Sequence, residues 1–515
     1  MAEISFNMGI PKKANISRVS ADTVVTHDVS EEFSLPDYVP EVRRVLTTRA
    51  QVLPESKYIS DSGNGCMLEF GGTVTYSVIY TDDDGKLCST PLSSNYETQT
   101  VLNSHPETVF IDTVADNVSC RVNAPRKLTI KTRLKSRILA FENNEIDENI
   151  EGKSGEDEFF IERMCENVNS IGIKTSSLQN VHISDRFDTG SITEIRPIWC
   201  DASMEITDAK AQNGAICVRG DIGVKCLCDT SSGIMTLNKT VPFSEEIETE
   251  GAEVGDLSRA TGRCVSLSIS SEQNDGEERI FFDANCEIEG ELYRNEENVM
   301  TKDCYSTRYE TDATYRNIDT YSLMKCINSS FTSSESAKRK NKDISEIVEI
   351  LTDPVYEKTE IKGQKAIIYG KLYITVIGKS APKGDMEGEF ISEEYEIPFK
   401  YETDISASPD DVLTRADFSV GNVNARYDAE KFYCTAEIFS AVSLFGKGSA
   451  EILDTASLKK DKEIKNDASC VRVYFPKNGD TLWEVAKKYH TSSKKIAERN
   501  NIASASLDGV KDIII

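Results

Sequence analysis

Apolar and polar residues alternate at period two over much of the chain, and three of these runs share one design. Each opens on a glycine and closes at a glycine-containing turn: Gly72–Tyr80 before Asp82–Gly85, Gly220–Cys228 before Ser231–Gly233, and Gly370–Gly378 before Lys383–Gly384. The apolar positions keep step, with Val74, Tyr76 and Val78 in the first, Ile222, Val224 and Cys226 in the second, and Leu372, Ile374 and Val376 in the third. Such alternation buries one face of a strand, and the glycine turn folds the chain back as a hairpin. A second pattern recurs further along, in Arg126–Phe141, Glu278–Tyr293 and Glu430–Phe445. Its closing aromatics Phe141, Tyr293 and Phe445 stand 152 residues apart both times, and the leading glycines 148 and 150 apart. Two ordered anchors at nearly constant spacing imply a threefold internal duplication. The repeats hold no long 3.6-period run and no strand–helix–strand rhythm. The predicted fold class is mainly β, with three repeated antiparallel β-sandwich or barrel-like domains. Residues 160–170 and 321–330 resemble each other and read as a lead-in strand or short helix.

The last 45 residues follow another rhythm. Val471, Val473 and Phe475 alternate as a short strand, Gly479 permits a tight turn, and Thr481 with Glu484 forms a capping box. Leu482, Val485, Ala486 and Tyr489 make one apolar helical face. A second helix starts around Thr491–Ser493, passes through Ile496–Arg499 and ends at Asn500–Asn501, before a turn and final strand at Gly509–Ile515. This small βααβ unit resembles the LysM module in Tyr474, Gly479-Asp480-Thr481-Leu482-Trp483, Val485-Ala486, Tyr489, Asn501-Ile502, Gly509 and Ile513-Ile514. The resemblance implies a shallow groove for N-acetylglucosamine-containing glycans such as peptidoglycan, lined by loops near 479–482 and 502–507. Lys477, Gly479, Asp480, Thr481, Leu482, Asn501 and Ile502 are the candidate partner- or glycan-binding residues. Trp483, Val485, Ala486, Tyr489 and Ile496 are the candidate core. The competing reading makes Leu482 and Trp483 mainly core and gives the groove another partner.

The entry segment Leu35–Leu46, with its Pro36-Asp-Tyr-Val-Pro40, and the two strand anchors resemble the SPOCS domain of clostridial spore-coat proteins. Repeats of that domain followed by LysM resemble the SipL-like family of spore-coat morphogenesis proteins. The proline entry is lost in the other repeats, at Thr193–Pro197 and Asp343–Ile347. The resemblance implies a scaffold in the mother-cell cytoplasm at the forespore surface, whose LysM module docks the coat-basement ATPase (SpoIVA-like). A peptidoglycan-binding protein is the alternative. The expected division is a lead-in at 1–34, repeats at 35–150, 160–310 and 320–453, a charged linker at 454–470, and the LysM module at 471–515.

Composition sharpens this picture. The 515 residues carry 59 Lys+Arg against 86 Asp+Glu, a net charge of −27. Residues 471–515 hold 8 Lys+Arg and 5 Asp+Glu, so they contribute +3 and the rest −30. Global acidity argues against nucleic acid. The amino terminus has no secretory pattern, and no run approaches the ~18 apolar residues of a membrane span, so the chain is expected to stay in a cytosol without membrane insertion. The cysteine group Cys217, Cys226, Cys228, Cys264 and Cys286 lacks paired C-x-x-C spacing, and the four histidines stand apart. No metal, cofactor or catalytic residue is therefore expected. No G-x-x-x-x-G-K-[ST], G-x-S-x-G or H-E-x-x-H motif points to an enzyme.

Overall fold

In the computed structural model the described residues are 14–515 except 64, 147–148, 151–159, 191, 193, 275–276, 383–387, 406–408, 410 and 465–470. The first repeat comprises β1 (Ala14–Ser34), β2 (Arg44–Asp61), β3 (Cys66–Thr81), β4 (Leu87–Leu102), β5 (Thr108–Ala124) and β6 (Lys127–Ile146). They form two antiparallel sheets, β1-β6-β5 and β2-β3-β4. After the two-residue β7 (Asn149–Ile150), the second repeat supplies β8 (Ile161–Arg186), β9 (Arg196–Gln212), β10 (Ala215–Thr230), β11 (Gly233–Glu248), β12 (Leu257–Asn274) and β13 (Glu277–Ser306). The third supplies β14 (Tyr309–Lys338), β15 (Ile344–Lys362), β16 (Lys365–Ser380), β17 (Phe390–Asp404), β18 (Asp411–Tyr427) and β19 (Lys431–Glu463). Each repeats the same pairing, strands one, six and five in one sheet and two, three and four in the other. β7 adds to β19 in parallel.

The two sequence anchors are the central strands of these sheets. β3, β10 and β16 carry the glycine-led runs, and β6, β13 and β19 carry the runs ending in an aromatic. A central strand is paired on both edges and buries its inner face against the facing sheet, so its alternation is sharpest. Val74, Tyr76, Val78, Ile222, Val224, Cys226, Leu372, Ile374 and Val376 are all buried, each in the core of its own sandwich.

The outer strands move the expected boundaries. Ala14–Ser34, read as a lead-in, pairs with β6 from Ala14↔Ile146 to Ser34↔Lys127 and completes the first repeat. β14 begins at Tyr309 rather than 320, and β19 runs past residue 453 to Glu463, paired with β14 through the first part of the expected linker. Charged side chains on the exposed faces of these strands hid their alternation. Residues 161–170 and 321–330 are strand in β8 and β14, not helix. Residues 1–13, the turn residues 383–384, and residues 465–470 of the linker lie outside the described residues.

The repeats meet at shared junctions. Phe141, Tyr293 and Phe445, spaced by 152 in sequence, come together in space: ring centroids are 5.6 Å apart for Phe141–Phe445 and 5.6 Å for Tyr293–Phe445. Ile79, Leu227 and Ile377, which follow the spacing of the glycines, meet in a second apolar junction. Ile16, Ile146, Val168, Met300 and Ile452 form a third. Ion pairs cross the same junctions. Arg49 on β2 reaches Asp201 on β9 and Asp353 on β15, each at 2.7 Å. Glu291 Oε1 accepts from Arg259 at 2.7 Å and Arg415 at 2.6 Å, all three being fully or almost fully buried. Arg415 also pairs with Asp112 at 2.7 Å, and Arg259 with Asp417.

Candidate functional site in the carboxy-terminal module

β20 (Val473–Tyr474) pairs with β21 (Ile513–Ile514) around α1 (Leu482–Lys488) and α2 (Ser493–Asn500). The capping box is present: the Thr481 hydroxyl accepts from the Glu484 backbone N–H at 3.2 Å, and the Thr481 N–H donates to Glu484 Oε2 at 3.1 Å. α2 stops at Asn501, whose φ of 53° is a left-handed cap. Val485, Ala486 and Ile496 are buried, and half-buried Tyr489 packs edge-on to Tyr474.

Two assignments change. Leu482, grouped with the binding residues, is 2 % exposed and fills the module core, because α1 turns its first apolar side chain inward. Its backbone N–H donates to Ala505 O at 2.8 Å. Trp483, expected in the core, is only partly buried, packing at the edge of the module's apolar cluster and against Tyr305 of β13, with ring centroids 4.9 Å apart.

The remaining candidates frame two tied loops. The Asp480 carboxylate accepts from the Lys477 N–H at 2.8 Å and the Tyr474 hydroxyl at 2.7 Å. Asp508 accepts from the Gly479 N–H at 2.8 Å and the Ser506 hydroxyl at 2.9 Å. The Leu507 N–H donates to Asp480 O at 3.0 Å, and Thr481 bridges to Ser506. Backbone N–H bonds, then hydroxyl bonds, hold both carboxyls below their usual range. Gly479 takes a φ of +91°, which its lack of Cβ permits. Lys477, Gly479 and Asn501 are exposed, and Asp480, Thr481 and Ile502 partly so. The exposed Lys477 and Asn501 side chains and the Thr481 and Ser506 hydroxyls can hydrogen-bond an acetamido group or another protein's backbone.

The opposite side of α1 is seated on the repeats. Asp303 of β13 accepts from Lys487 Nζ at 2.7 Å, from Trp483 Nε1 at 2.8 Å, and from the Tyr315 hydroxyl of β14 at 2.6 Å. The Tyr305 hydroxyl donates to Thr491 O at 2.7 Å. Burial raises the Asp303 carboxyl, but bonds from Lys487, Tyr315 and Trp483 outweigh it and hold the pKa below its ordinary value. Asp303, Tyr305 and Tyr315 carry no local motif, and only the tertiary pairing of β13 with the module reveals them.

A family model described as LysM domain matches residues 477–508. A second, described as SipL, SPOCS domain, matches residues 191–271. The chain carries a SPOCS domain and a LysM domain. The SPOCS match spans β9–β11 and most of β12, one whole sheet of the second repeat and the strand that returns to the other. No curated protein and no solved structure matches the chain. SPOCS and LysM are binding or scaffold domains without catalytic chemistry, and together they mark a sporulation-related chain with the means to bind peptidoglycan-type glycan. Among the described residues no helix is long and apolar enough to cross a membrane.

Proposed function

We propose that the chain is a non-enzymatic scaffold of spore-coat morphogenesis, acting in the mother cell at the forespore surface. Its three repeats are SPOCS-type domains, and its LysM module docks the coat-basement ATPase (SpoIVA-like). The observation that carries this reading is a LysM module held on a SPOCS-bearing body by one face of α1 while its two loops stay exposed. An adaptor needs that arrangement, a rigid seat on one side and an open surface on the other. The module's charge of +3 against −30 on the rest suits an acidic partner surface, within the reach that salt screening allows. Capture of the basement ATPase with the full chain and with a chain ending at residue 470 tests the reading. Equal recovery would remove the docking role from the module.

The exposed Lys477 and Asn501 side chains and the Thr481, Ser504 and Ser506 hydroxyls favour a second reading, binding of peptidoglycan N-acetylglucosamine. It predicts that the full chain sediments with purified sacculi and that the chain ending at residue 470 does not. If both stay in the supernatant, the glycan reading fails.

A further inference from the structure

We propose that Cys200 and Cys226 are an oxidisable pair that closes to a cross-strand disulfide between β9 and β10. The two residues stand directly opposite each other in the antiparallel ladder, and their sulfurs are 2.9 Å apart. Opposed residues in such a ladder have Cα atoms about 4.5–5.5 Å apart, inside the span a disulfide bridges. Cys228 Sγ is also near Cys226 Sγ, at 3.4 Å. It lies two residues along the same strand, however, about 6.6 Å away at Cα and at the long end of that span.

The internal repeats show that the pair is particular to the second. The positions that pair like Cys200–Cys226 are Thr48–Val78 in the first repeat and Ile350–Val376 in the third. The facing sheet repeats the contrast. Cys264 opposes Cys286, where the other repeats have Ala115–Leu134 and Val420–Ile438. Four positions, two cross-strand pairs, hold cysteine in the second repeat and none in its siblings. Scattered small hydrophobes would not fall into register twice.

Accessibility separates the two pairs. Cys200 is partly exposed, whereas Cys264 and Cys286 are 7 % and 1 % exposed. The Cys200 thiolate attacks one sulfur of a small-molecule disulfide and expels the other half as a thiolate. The Cys226 thiolate then attacks Cys200 of the mixed disulfide and expels the second half. Both protein sulfurs are oxidised, the reagent is reduced to two thiols, and the two protons lost from the cysteines end on them.

The link would lie beside the junction of all three repeats. Trp199, next to Cys200, packs with Leu46, Ile79 and Leu351, and Asp201 on its other side pairs with Arg49. Oxidation would therefore fasten the point where the second repeat grips the other two.

The test treats the folded full chain with oxidised glutathione, blocks remaining thiols with N-ethylmaleimide, and maps peptides without reduction. The expected result is one peptide pair joined through Cys200 and Cys226, with Cys264 and Cys286 recovered as maleimide adducts after unfolding. The unfolding midpoint should rise, and dithiothreitol should reverse the rise. The double variant Cys200→Thr with Cys226→Val, which restores the pair of the first repeat, should show no rise. Recovery of both residues as maleimide adducts, or a link from Cys226 to Cys228 in its place, would overturn the proposal. So would a rise that persists in the double variant. The peptide map of the unmodified chain decides the matter even where a variant folds poorly.

Discussion

Asp303→Ala should release the LysM module from its seat. The carboxylate gathers three donors, and each can be weighed. Lys487 keeps 39 % of its side-chain exposure, so its ion pair is screened and is worth at most about 1 kcal/mol. The Trp483 N–H bonds a charged acceptor whose side chain is 13 % exposed, for about 1.5–3 kcal/mol, whereas the Tyr315 bond lies within the repeats and does not hold the module. The sum is about 1.5–4 kcal/mol, a roughly 10- to 700-fold fall in the ratio of seated to released module. Tyr305 still offers its ring to Trp483 and its hydroxyl to Thr491, which limits the effect to the seat. The chain has two tryptophans, and Trp199 is 5 % exposed in the junction of the repeats. A change in tryptophan emission therefore reports Trp483, which should shift to the red in Asp303→Ala and not in Asp312→Ala, an exposed carboxylate paired with Lys459. Acid should act in the same direction. The seat holds the Asp303 carboxyl lower than in the free state, so its contribution is complete above about pH 4 and is lost as pH falls below that. Unshifted emission in Asp303→Ala, with α1 amides as protected from hydrogen exchange as in the parent, would refute the reasoning.

Other perturbations test the body and the groove. Glu291→Gln removes the charge that two buried arginines share and should lower urea-derived stability by about 3–5 kcal/mol; a loss under 1 kcal/mol would mean that the network is not coupled. Burial raises the Glu205 carboxyl to about 7, so stability should decline as pH rises from about 4.5 to about 7 as the ionised form is forced into its buried site. Glu205→Gln should flatten that part of the pH profile, and an unchanged slope would assign it elsewhere. Phe445→Ala empties the meeting point of three repeats and should cost about 3–5 kcal/mol, read as a single cooperative transition shifted to lower urea. Asp508→Ala frees Gly479 and Ser506 and should weaken sacculus binding several-fold through loss of about 1 kcal/mol of loop order; undiminished sedimentation would show that loop order is irrelevant to the glycan reading.

What could be read in the sequence, and what could not, divides along the sheets. Val74, Ile222 and Leu372 announce themselves because a central strand has one wholly buried face, and Phe141, Tyr293 and Phe445 because the same burial is imposed three times. Outer strands such as β1 and the far end of β19 present charged faces to water, so Glu31-Glu32 and Lys459–Lys462 look like linker until their pairing is seen. In the module, the capping box and helix limits are local and legible, while the seat on Asp303 joins residues 180 and 184 positions apart and leaves no local trace. The junction of the repeats is harder still, because there the repeats differ on purpose of charge. Phe110, Arg259 and Arg415 occupy one equivalent position, as do Leu139, Glu291 and Ser443. Three identical copies would bring three like charges, or three carboxylates, to one buried point, which the low dielectric there forbids. Divergence lets Arg415 lie over the Phe110 ring at 4.2 Å while it and Arg259 share one glutamate. Arg49 and Asp201, which also occupy one equivalent position, pair in the same way in the other sheets. Linking the repeats in one chain is what makes such asymmetric pairing possible, since a trimer of identical subunits could not place an arginine in one copy and a carboxylate at the same position of another.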